Sequence, residues 1–90
     1  MAKKKVDYEA LNSGLMRIPR LPVLVARGLI DIGISEVYEL EGRAPEMLLS
    51  DIRLKYPDFD PRFLSVIRMA VYYAETPDAD PSLLHPDCWN

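Results

Sequence analysis

Few side chains in this sequence carry reactive chemistry, and they cluster near its end. His85, Asp87 and Cys88 form an H-x-D-C run whose donor types could hold zinc. A structural zinc site usually takes four ligands, and no second cluster is present to complete it, so no metal is expected. The only histidine and the only cysteine do not combine into a nucleophile, a base and an orienting group, and no enzymatic activity is expected. Asp60 and Asp80 each precede a proline at a helix start, where capping accounts for them. Gly28, Gly33 and Gly42 do not form a phosphate-cradling loop, and no cofactor is implied. Tyr72 and Tyr73 could stack on bases, although aromatics on a core helix more often pack.

Charge is the remaining resource. The formal net charge is -3, with the acids concentrated in the middle and end. Between Lys3 and Arg27 the balance reverses, with six basic residues (Lys3, Lys4, Lys5, Arg17, Arg20, Arg27) against Asp7 and Glu9. A polyanionic partner should therefore be met by this end of the chain. Lys3 to Lys5 read as a solvated basic tail, residues 1–6.

Helices must position these groups. Tyr8, Leu11, Leu15 and Ile18 recur at helical spacing behind Asp7 as N-cap, which predicts a first helix from about Tyr8 to Arg17, stopped by Pro19. Pro disfavours helical geometry in the residue before it, so Ile18 to Pro22 should form a tight connection. Pro22 then opens a second helix with Val25, Ala26, Leu29 and Ile30 inward, closed by Gly33. Ser35 caps a short third helix carrying Val37 and Leu40 and ending at Gly42. Pro45 and Glu46 open a fourth, with Leu48, Leu49, Ile52 and Tyr56 inward. Asp60-Pro61 starts the fifth and strongest, with a stripe of Phe63, Leu64, Ile67, Ala70, Val71 and Ala74 and a second stripe of Val66, Met69 and Tyr73. Residues 77–90 form a C-terminal tail, whose Leu83, Leu84 and Trp89 are available to cover that second stripe.

No strand-like alternation appears. An apolar fraction of 49% with 28% charged residues belongs to a folding chain rather than a disordered one, and residues 1–90 are enough for one core. The expected architecture is a compact all-α single domain of five helices. The lone Cys88 and the absence of an apolar run behind the lysines lead to a cytoplasmic expectation. The longest apolar run, Leu21 to Ile32, is interrupted and far short of the roughly 20 residues that span a bilayer, so no membrane association is expected.

The segment Leu15 to Leu40, LMRIPRLPVLVARGLIDIGISEVYEL, resembles the helix-hairpin-helix motif, in which a Leu-x-x-Ile-Pro-Gly-Ile-Gly turn leads into a helix with Ala and Leu three apart and then Gly-Ile. Ala26, Leu29, Gly33 and Ile34 fit that frame. GRAPEMLL (Gly42 to Leu49), RMAVYYAE (Arg68 to Glu75) and DADPSLL (Asp78 to Leu84) extend the likeness to the bacterial pathogenicity-locus family, also called mitomycin-resistance-like proteins. The resemblance implies a SAM-like helical bundle and a DNA-binding role through the phosphate backbone. In such modules turn glycines let the backbone approach a phosphate, and N–H groups of the second helix hold it.

This chain departs from that pattern, with Arg20 and Pro22 at the two glycine positions and Leu24 at the early basic position. Pro22 removes a donor and Leu24 a charge, whereas Arg17, Arg20 and Arg27 offer guanidinium groups instead. Arg17, Arg20, Leu21 and Arg27 are accordingly the candidate contacts to double-stranded DNA. Three arginines give a salt slope of only about -2 to -3, which describes weak, salt-sensitive binding without sequence preference. The alternative is a protein-interaction or self-association module that has lost DNA binding, with Val23, Leu24, Val66, Met69 and Tyr73 as its candidate interface.

Overall fold

The computed structural model describes residues 7–90, and the lysine-rich stretch expected to be a basic tail lies outside the described residues. Every regular element among the described residues is helical. The α-helices are α1 (Tyr8–Leu11), α2 (Val23–Asp31), α3 (Pro45–Lys55) and α4 (Leu64–Glu75). Short 3₁₀ turns lie at Gly14–Arg17, Val37–Leu40, Pro61–Phe63, Pro81–Leu83 and Pro86–Trp89. The bundle thus contains four α-helices, not the expected five.

Two departures from the expected helices have local causes, and only the second lowers the count. Asp7 caps α1 as expected, its carboxylate accepting the Ala10 N–H at 3.0 Å. The helix nevertheless stops at Leu11, because the Ser13 hydroxyl donates to the Ala10 carbonyl at 2.7 Å and the Ser13 backbone turns extended, with ψ 157°. Side-chain bonding of this kind competes with the helical ladder. The chain resumes as the Gly14–Arg17 turn, which still delivers Leu15 and Ile18 to the core. The expected third helix is also a 3₁₀ turn. Gly33 and Gly42, with φ of 94° and 74°, bracket too few residues to repay helix nucleation. Ser35 is not its cap: the Glu39 carboxylate accepts the Ser35 and Glu36 N–H groups, both at 3.0 Å.

Helix α2 is bounded sharply. The Pro22 carbonyl accepts from Val25 and Ala26 at 3.0 and 3.1 Å. At the other end Ile34 N–H reaches the Leu29 carbonyl and Gly33 N–H the Ile30 carbonyl, both at 2.9 Å, the pairing of a Schellman cap. Gly28 lets α3 approach closely, since a Cβ there would stand 3.0 Å from Ile52 Cγ2.

The core gathers Leu15, Ile18, Val25, Leu29, Leu48, Ile52 and Ile67 with side chains from every helix. Tyr56, expected on the inner face of α3, follows the helix as its C-cap and is 44% exposed. Asp60 caps the Pro61–Phe63 turn that leads into α4, accepting the Arg62 N–H at 2.8 Å. Helix α4 is buried on most sides, with Ser65, Val66, Ile67, Met69, Ala70 and Val71 all buried. The C-terminal turns lie on α4. Trp89 and Tyr72 pack with ring centres 5.0 Å apart and planes tilted by 37°, the Trp89 indole N–H donates to the Leu83 carbonyl at 2.7 Å, and Arg68 donates to the Trp89 carbonyl at 3.0 Å. No helix among the described residues is long and apolar enough to cross a membrane.

Candidate functional site

The connection into α2 is a four-residue turn closed by Leu21 N–H donating to the Ile18 carbonyl at 3.3 Å. Pro19 holds its second position and Arg20 its third, where φ is +62°. These are the features of a type II turn, whose third residue is usually glycine. Arg20 is the only non-glycine residue with positive φ among those described. A left-handed conformation costs an L-residue about 1–2 kcal/mol, so the surroundings must impose it. They do, because Ile18 and Leu21 on either side are buried at 1% and 5% exposure. The side chain of Leu21 is therefore a core anchor, and only its backbone faces the turn.

The three arginines of this end have different fates. Arg17 is exposed and has no ion-pair partner among the described residues. Arg20 is exposed, with one nitrogen donating weakly to the Leu84 carbonyl at 3.4 Å. Arg27 is half-buried and held by three carboxylates. It donates to both oxygens of Asp7 at 2.8 and 3.2 Å, to Asp31 at 3.0 Å, and to Glu9. The Tyr56 hydroxyl donates in turn to Asp31.

This network sets the local electrostatics. The Ala10 N–H, joined by the Arg27 guanidinium, holds the Asp7 carboxyl below its usual range against the opposing effect of burial. Burial works against the Arg27 charge, yet the surrounding Asp7, Asp31 and Glu9 raise its pKa. The hydrogen bond to Asp31 pushes the Tyr56 phenol up. A guanidinium that gives four of its five N–H donors to three carboxylates has one donor left and no net positive charge to offer a phosphate.

Beside the network lies a cleft of about 260 Å³, lined by Leu24, Arg27, Gly28, Tyr56, Asp58 and Phe59. Leu24, in the first turn of α2, is 57% exposed. Phe59 forms the floor, only 6% exposed, with its ring centre 5.1 Å from that of Phe63. Phe59, Tyr56 and Asp58 were not singled out as site residues from the sequence, where Tyr56-Pro57-Asp58 reads only as a helix stop. Two aromatics in one proline-containing loop are the signal that was there to be found.

The remaining candidates divide by burial. Val23 is half-buried against the core, and Tyr73 is likewise partly covered. Val66 and Met69, at 5% and 0% exposure, are core residues rather than interface residues, because the packing around α4 leaves them no surface. A larger and more open depression of about 530 Å³ lies between the start of α4 and the C-terminus. Its cations are committed, Arg62 to Asp60 and Arg68 to Glu46. Cys88 is exposed, with its thiol 3.5 Å from the Ser82 carbonyl. Tyr72 is partly buried, packs its ring against Trp89 and accepts the Asp80 N–H at 2.9 Å, the packing role expected of an aromatic on this helix. Comparison with protein-family models, curated proteins and solved structures finds no significant match to the chain.

Proposed function

We propose that this chain is a non-catalytic protein-interaction module that keeps a helix-hairpin-helix type of turn but works through the face of α2 around Leu24. The supporting observation is the fate of Arg27: the cation best placed on α2 to meet a phosphate is bound to Asp7, Glu9 and Asp31. An apolar residue, Leu24, stands at the exposed mouth of the same helix. Exposed aliphatic surface beside committed charge suits a protein surface better than a polyanion. The test is affinity capture from the native host with and without nuclease, using wild type and Leu24→Glu. A protein retained by the wild type and lost by the variant is the expected result. Retention that disappears with nuclease, or that is indifferent to Leu24→Glu, overturns the reading.

A second reading, weak phosphate-backbone binding to double-stranded DNA, is favoured by one observation, the glycine-like conformation of Arg20. With Arg27 committed, Arg17 and Arg20 supply a salt slope of only about -2. Binding to a generic duplex at low salt, abolished by Arg17→Glu with Arg20→Glu, is what this reading requires. No binding at low salt eliminates it.

A further inference from the structure

The occupant of the Leu24 cleft is constrained by its size, its walls and the charges around it. At about 260 Å³ it falls below the roughly 300–1,000 Å³ of small-molecule sites and suits one large side chain. Leu24, Gly28 and Phe59 give it apolar walls, with the Tyr56 ring beside them. The polar groups around it are mostly acidic. Asp58 lines the cleft directly, and Asp7, Glu9 and Asp31 attach to it through Arg27 and Tyr56. Among the described residues, Arg27 lines the cleft and Arg53 donates to the Pro57 carbonyl beside it at 3.3 Å. Among these described groups, four carboxylates stand against two guanidinium groups. Glu9 and Asp58 are exposed, so their charges face an incoming partner rather than the core.

We infer that this cleft receives a large apolar side chain of a partner protein, carried on a segment in which lysine or arginine flanks that side chain. The inference rests on the protein-interaction reading above and adds the chemistry of the partner. The apolar group fills the space over Phe59 and beside Leu24, in the manner of an interface anchor surrounded by a polar rim. The basic flanks meet Asp58 and Glu9, which speeds encounter and rejects acidic segments. A second copy of this chain is a poor occupant, because a two-fold contact would set one acidic rim against the other.

A random peptide library displayed on phage and selected on the wild-type chain reads the preference directly. The expected consensus is a Trp, Phe or Leu between basic residues, with enriched peptides shifting the backbone amide resonances of Leu24, Gly28 and Phe59. Affinity should fall about tenfold in Asp58→Lys and again in Leu24→Glu. Both positions are exposed, and circular dichroism checks that each variant is folded. A neutral or acidic consensus, no enrichment, shifts confined to another surface, indifference to Asp58→Lys, or concentration-dependent dimerisation through Leu24 overturns the inference. A host protein captured in a Leu24-dependent way alongside a non-basic consensus defeats the basic-segment inference alone. Failure of capture defeats the interaction reading itself.

Discussion

Helices α2 and α4 draw on similar aliphatic residues and receive different cover. Six consecutive or near-consecutive positions of α4, from Ser65 to Val71, are buried, and the C-terminal turns lie on it through Trp89 and Arg68. On α2, Val25, Ala26, Gly28 and Leu29 are buried, while Leu24 projects into solvent next to a cleft. The chain supplies from its own tail what α4 needs. It supplies nothing comparable over the first turn of α2 among the described residues. The contrast locates the stabilising part of the domain at α4 and the surface available to others at α2.

The sharpest way to break this division is truncation on the two helices. Met69→Ala removes a fully buried side chain and should lower stability by about 2–5 kcal/mol in urea unfolding. A small loss there would mean that α4 is not the core element it resembles. Trp89→Ala should come next, at about 1–3 kcal/mol, because it removes the aromatic packing on Tyr72 and the indole hydrogen bond to Leu83. Amide exchange should then rise in the C-terminal turns before it rises in α2.

Acid tests both regions together. Bonds to backbone N–H groups hold the Asp7 and Asp80 carboxyls below their usual range, and the Arg62 side chain, followed by its N–H, does the same for Asp60. Unfolded carboxylates keep values near 4, so as pH falls the unfolded chain takes up protons first. This contribution to stability is complete above about pH 5 and is lost as pH falls through the depressed folded values. Thermal melts across that range should show a falling midpoint, and an unchanged midpoint down to pH 3 would remove these caps from the stability argument.

Smaller effects belong to the α2 end. Arg20→Gly relieves a positive φ and forfeits only a long bond to Leu84, so it should be neutral or stabilise by up to about 1 kcal/mol. A clear loss would show that the Arg20 side chain has a structural role. Leu24→Ala should change stability by less than about 0.5 kcal/mol, as expected of an exposed residue away from the core. A larger cost would show that Leu24 is structural and would erase the distinction between the helices.

Much of the fold was legible because it rests on local rules. Asp7, Asp60 and Asp80 sit at helix or turn starts and bond the N–H groups that follow. Gly33 ends α2 in the conformation that only glycine adopts easily. The stop of α1 at Leu11 was not legible, since Tyr8, Leu11, Leu15 and Ile18 keep helical spacing across a break made by one serine hydroxyl. The break also changes which of them face inward: Leu15 and Ile18 are buried, whereas Tyr8 and Leu11 are 68% and 42% exposed. The Leu24 cleft is half legible: the place of Leu24 at the turn marks it as a candidate, whereas Phe59 and Asp58 come from a loop more than thirty residues later.

The sequence by itself determined the all-helical class, the proline and glycine boundaries and the tight turn before α2, because backbone sterics and capping act within a few residues of their cause. The tertiary structure decided what the arginines and the apolar stripes are for. Whether Arg27 faces a phosphate or three carboxylates, and whether Met69 or Leu24 is left uncovered, depends on which distant segments fold against α2 and α4, and no spacing along the chain encodes that.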